Sequence, residues 1–131
     1  MQMNHITVAV ADLERSILFY ERLGLQIIVH SPARYARFYV PESDSTFSLE
    51  VTPGVEPGSN AIHIYFECRD VDATYRGLVA AGVPFTQPPT DMRYLWREAR
   101  LLDPDGYDLR LFSAGENRLN PPWRLVPGAT R

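Results

Sequence analysis

The chain has 131 residues, 45% of them hydrophobic and 22% charged, with a formal net charge of −3. That length and balance suit one globular domain, and the acidic balance without a basic cluster disfavours nucleic acid or an anionic membrane as partner. No apolar run approaches the length of a membrane span, and no charged-then-apolar signal opens the chain. All 13 Lys/Arg positions are Arg, so lysine Schiff-base chemistry is excluded. Cys68 is the single cysteine, which rules out an intrachain disulfide and makes a reducing cytoplasm the expected setting.

The first predicted strand lies in "NHITVAVADL", where Ile6, Val8 and Val10 alternate with His5, Thr7 and Ala9. Asp12 then reads as a helix N-cap, Leu13, Ile17 and Tyr20 as the buried helix face, and Gly24 as the left-handed stop. Three strands follow, at 26–30, 35–40 and 46–51. "PESDS" and "PGVEPGSN" are loops by composition. "AIHIYFECRD" opens the same pattern again. A shift of 58 residues lays His5 on His63, Asp12 on Asp70 and Gly24 on Gly82. The helix-face residues fall on Val71, Tyr75 and Leu78. Further strands are expected at 85–87, 96–102 and 107–112, the last two joined by the tight turn Asp103-Pro104-Asp105-Gly106. The fold class is therefore α+β, with βαβββ written twice. Module one spans 1–58, module two 59–113, and 114–131 is a Pro-rich tail. Trp123, between Pro122 and Arg124, is expected to pack that tail.

Strand parity sorts the side chains onto two faces. Ile62, Ile64, Phe66 and Cys68 should face the helix, and His63, Tyr65 and Glu67 should face away. By the same rule Thr46, Ser48, Glu50, Tyr35, Arg37, Tyr39, Glu98, Arg100, Asp108 and Arg110 share the face opposite the core. If that face is open and wet, its polarity needs no further account. If it curls into a cleft, it gathers two His, two Glu and several Arg and Tyr, the chemistry of a metal or anion site. Parity alone leaves both possibilities standing.

Three stretches carry a resemblance: "NHITVAVADLERSILFYERLGL", "AIHIYFECRDVDATYRGLVAAGVPF" and "ARLLDPDGYDLRLF". Over residues 3 to 113 the chain resembles the vicinal oxygen chelate superfamily, which includes glyoxalase I, extradiol dioxygenases, fosfomycin-resistance thiol transferases and bleomycin-resistance binding proteins. The resemblance implies eight strands curled around one cleft and a homodimer. It also implies a divalent ion (Fe, Zn, Mn or Ni) held by His5, Glu50 and His63. A fourth ligand would be expected where this chain has Arg110, and arginine only donates.

Two functions follow from the resemblance. One is a glyoxalase-like lyase or isomerase that polarises adjacent substrate oxygens on the ion, with a dioxygenase as a less suited variant. Glu50 and Arg110 would then be catalytic, and Arg37, Tyr39, Tyr65, Glu98 and Arg100 would bind substrate. The other is a metal-free protein that binds a small planar or anionic molecule, of the bleomycin-resistance type.

Overall fold

The computed structural model describes residues 1–128 and contains the double βαβββ pattern. Module one runs β1 (His5–Ala9), α1 (Leu13–Arg22), β2 (Gln26–Ser31), β3 (Tyr35–Tyr39) and β4 (Thr46–Glu50). Module two runs β5 (His63–Glu67), α2 (Val71–Ala80), β6 (Gln87–Asp91), β7 (Arg97–Leu102) and β8 (Asp108–Ser113). Each module forms its own four-stranded sheet, in the orders β1-β4-β3-β2 and β5-β8-β7-β6. In both, the strand before the helix pairs parallel with the last strand of its module. A single turn of 3₁₀ helix (Gly115–Arg118) begins the tail.

The helices start and stop where their chemistry directs. The Asp12 carboxylate accepts from Arg15 N and the Asp70 carboxylate from Ala73 N, each at 3.1 Å. These bonds satisfy one of the orphan N–H groups of each first turn. Gly24 and Gly82 take φ of 100° and 87° just past the helix ends, where a side chain would be strained. Leu13, Ile17 and Tyr20 are buried, as the spacing predicts, and so is Val71 on α2.

Two expectations are corrected. The strand placed at 85–87 lies at Gln87–Asp91 instead and includes Pro88 and Pro89. It is an edge strand, where a missing backbone donor is tolerated. Ile62 precedes β5 and is exposed, so the helix-facing set starts at Ile64.

One hydrophobic core serves both modules. The joint between them is polar. Asp103 lies in the β7–β8 turn and is buried; its Oδ2 accepts from the Tyr20 hydroxyl at 2.7 Å. Its Oδ1 accepts from Asp105 N and Tyr107 N, each at 2.9 Å. Asp105 receives Ala11 N, Arg15 Nη2 and Ser16 Oγ at 3.2, 3.3 and 3.4 Å. Tyr107 donates from its hydroxyl to Ala9 O at 2.8 Å. The turn of module two thus grips the start of α1. The inter-module linker passes against it: Gly58 has φ 89°, and a Cβ there would collide with the Asp105 carbonyl.

Burial raises the Asp103 carboxyl above its ordinary value, and its hydrogen bonds oppose that rise only in part. A carboxyl that holds its proton longer when folded contributes stability below its unfolded pKa, and loses it as pH rises through the folded value. Wild-type unfolding free energy should therefore carry a component that falls with rising pH above the ordinary 3.8. Asp103→Asn should retain the fold and remove that component. Asp103→Ala strands the Tyr20 hydroxyl and two N–H groups and should cost at least about 1–3 kcal/mol. Urea unfolding at a series of pH values checks all three.

Candidate functional site

Relative to its partner turn, module one is built differently from module two. Where the 103–106 turn clamps the start of α1, the 40–45 turn stands off the β5–α2 junction. The gap is a cavity of about 850 Å³. Val40 to Ser43 line one side, Glu67, Cys68 and Arg69 another, and His5, Thr46 and Phe47 the strand end of module one. Tyr65, Trp96 and Phe112 supply an aromatic wall from module two. Trp96 stacks on Phe112 with ring centroids 4.5 Å apart at 16°. Tyr65 stands edge-on to both, each at 5.6 Å. Burial raises the Cys68 thiol, so it is a poor nucleophile.

Tyr65 and Trp96 also border a second cavity of about 390 Å³, with Tyr94 on the sheet side and Pro121 and Trp123 on the tail side. The tail is anchored there, since Trp96 Nε1 donates to Asn117 O at 3.3 Å. Trp123 is 57% exposed and lines this cavity, which corrects the expectation that it packs within the tail.

The predicted site residues fall into three groups. His5 is on the cavity wall, held by Thr46 Oγ1 at 2.6 Å and Thr7 Oγ1 at 3.1 Å. His63 lies elsewhere, its Nδ1 paired with Asp108 Oδ2 at 2.7 Å. Glu50 is exposed at the far end of β4: it is registered with Ala9, whereas His5 is registered with Thr46. Four strand positions amount to roughly 13 Å along the sheet. In β3, Arg37 Nε donates to the Tyr35 hydroxyl at 2.9 Å, and that hydroxyl meets Ser48 Oγ at 2.7 Å. Tyr39 is half-buried beside Gln26 and Thr46.

The third group, on the face of module two away from the core, is tightly joined. Glu98 is fully buried. Its Oε1 accepts from the Tyr94 hydroxyl at 2.5 Å and its Oε2 from Arg100 Nε at 3.0 Å. Arg110 Nη1 lies 3.6 Å from the same Oε2 and donates to the Tyr65 hydroxyl at 2.8 Å. Arg110 Nη2 donates to Asp108 at 3.1 Å. Burial works against the Arg110 charge, but Asp108 and Tyr65 outweigh it and its pKa rises. Burial, reinforced by Glu98, raises that of Tyr94.

A family model for the glyoxalase/bleomycin resistance protein/dioxygenase superfamily matches residues 2–111. The chain belongs to this superfamily. A lactoylglutathione lyase of Schizosaccharomyces pombe is 30% identical over 130 residues, which cover 81% of this chain. The chain spans only 43% of that relative's length. A superfamily structure from Nocardioides superposes with a TM-score of 0.76 at 25% identity, covering 96% of this chain and 90% of its own. TnmS3, an antibiotic binding protein from Streptomyces, superposes at 0.75 with 25% identity, covering 88% and 97%.

The superfamily's divalent ion can be tested against the residues present. The two registers make His5 equivalent to His63, Thr46 to Asp108, Ser48 to Arg110 and Glu50 to Phe112. The positions two residues into β4 and β8 thus carry a hydroxyl and a guanidinium, neither of which is a carboxylate ligand. Glu50 is not the counterpart of Arg110. Among the described residues no three His, Cys, Asp or Glu side chains gather as a ligand set. In this chain the donors do not fit the ion.

Parity had placed Tyr65, Arg100, Glu98 and Arg110 on one face. It could not find Tyr94, which sits in the 92–96 loop where alternation does not apply and Leu95 takes φ 67°. Glu98→Ala would leave Arg100 and Arg110, registered opposite each other, without the carboxylate between them. That change should cost about 3–5 kcal/mol in chemical denaturation. Glu98→Gln, which still accepts hydrogen bonds, should cost less.

Proposed function

We propose that the protein binds a small, planar aromatic molecule without a metal ion. The aromatic wall carries this reading: Tyr65 and Trp96 stand between the two cavities, with Phe112 stacked behind Trp96. Flat rings pack on such a wall by offset stacking and edge contacts, each about 0.5–1.5 kcal/mol beyond area burial. Volumes of about 850 and 390 Å³ span the range of small-molecule sites. Polar ends are available for orientation, from His5 on one side and from Arg118 and Glu67, 3.6 Å apart, on the other. The likeness to TnmS3 agrees with this reading.

A second reading is a metal-dependent lyase or isomerase with His5, Glu50 and His63 as ligands, favoured by the 30% identity to the yeast lactoylglutathione lyase. Its catalytic assignments to Glu50 and Arg110 are weaker than its ancestry: Glu50 is remote from His5, and Arg110 is turned to its own neighbours.

The test is a fluorescence titration of chelator-treated protein with a panel of planar aromatic compounds. Trp123→Phe leaves Trp96 as the single tryptophan reporter. Saturable quenching is expected, unchanged by a chelator and weakened up to about tenfold by Tyr65→Ala, since each aromatic contact is worth up to about 1.5 kcal/mol. Stoichiometric metal in the purified protein, lost in His63→Ala, would favour the lyase reading instead.

A further inference from the structure

The second cavity is built in large part by the tail. Asn117, Arg118, Pro121 and Trp123 line it, and all four lie beyond residue 111, where the match to the superfamily ends. They add a wall that the double βαβββ pattern does not supply. Opposite them stand Tyr65, Tyr94 and Trp96. Both tyrosine rings are nearly perpendicular to Trp96, at 89° and 79°, with centroids 5.6 and 5.7 Å from it. The polar tips of these three side chains are already engaged. The Tyr65 hydroxyl accepts from Arg110, the Tyr94 hydroxyl donates to Glu98, and Trp96 Nε1 donates to Asn117 O. What they offer the cavity is ring surface. On the tail side Trp123 keeps 57% of its surface in water. An apolar flat ring gains from such surroundings by stacking and edge contacts.

The two cavities are neighbours, because Tyr65, Trp96 and Arg118 line both. Arg118 is the charged member of that shared set. It pairs with Glu67 at 3.6 Å, and both side chains are about half exposed. Exposed pairs of this kind are weak, so the guanidinium is free to turn toward a bound acceptor. Its planar fork suits an oxyanion.

We infer that the second cavity is a subsite for a second ring, and that the protein selects ligands in which two flat ring systems are joined near an oxyanion. One ring lies in the larger cavity and the other between Trp123 and the Tyr94–Trp96 pair. Arg118 takes the oxyanion at the junction. The tail is then the element that separates two-ring from one-ring ligands. The inference rests on the reading of the protein as a binder of planar aromatic molecules.

Two probes test it: anilinonaphthalene sulfonate, and aminonaphthalene sulfonate, the same molecule without its phenyl ring. Each is titrated calorimetrically into wild type, W123A, W123F and R118A, with Tm measured for every variant. Wild type should bind the two-ring probe at least about fivefold more tightly, from aromatic contacts on two sides of the added ring. W123A should bring that ratio close to one, and W123F, which restores a ring, should keep it. R118A should weaken both probes and leave the ratio, since both carry the sulfonate. If W123A does not fold, W123L replaces it, apolar but without a ring face. Equal binding of the two probes by wild type would overturn the inference and leave the aromatic-binding reading standing. So would an advantage that survives W123A in full. R118A that weakens neither probe would overturn the seat given to the oxyanion. Binding of neither probe would sink the inference together with the reading beneath it.

Discussion

The grip of the 103–106 turn on the first helix is the interaction on which the rest of the molecule depends. Each βαβββ module has a single helix on a single sheet and leaves apolar strand surface uncovered. Joining the two into one core requires a defined contact, and Asp103 and Asp105 make it. Both carboxylates are withdrawn from water, and each is compensated by hydrogen bonds from across the joint or from its own turn. Such a buried contact is directional in a way that Phe47 against Phe66 is not.

The pseudo-twofold relation is broken at the mirror position. The turn of module one has no pair of aspartates to reach α2, and the space between becomes the larger cavity. The two equivalent turns differ in sequence, Asp103 and Asp105 in module two against Glu42 and Asp44 in module one. The tail from Gly115 onward then divides the open side by anchoring on Trp96. A duplicated architecture thereby acquires one asymmetric site.

The same divergence is visible in the electrostatics. At three equivalent places on the polar face module one has the hydroxyls of Thr46, Ser48 and Tyr35 where module two has Asp108, Arg110 and Glu98. Fully burying Glu98 would be costly for a lone carboxylate; the Arg100 and Arg110 cations and the Tyr94 hydroxyl offset that cost. The likeness to a lactoylglutathione lyase and to an antibiotic binding protein shows that one scaffold hosts different chemistry in its relatives.

The amino-acid sequence by itself determined the repeat, the two capped helices, the tight turn and the face each strand residue takes. These are local properties: an Asp three residues ahead of an N–H, a glycine past a helix end, alternation at period two. It was less informative at the edge strand, where Pro88 and Pro89 argued against pairing that an edge permits. The resemblance also implied a ligand at Glu50, although the register puts Ser48 opposite Thr7 as Arg110 is opposite Tyr65. Only the tertiary structure decided that His5 and Glu50 lie apart, that Glu98 is buried among cations, that Tyr94 meets Trp96 edge-on, and that Trp123 lines the second cavity. Each of these turns on which strand neighbours which and how two modules are docked. Those are long-range relations, and alternation along one strand carries no information about them.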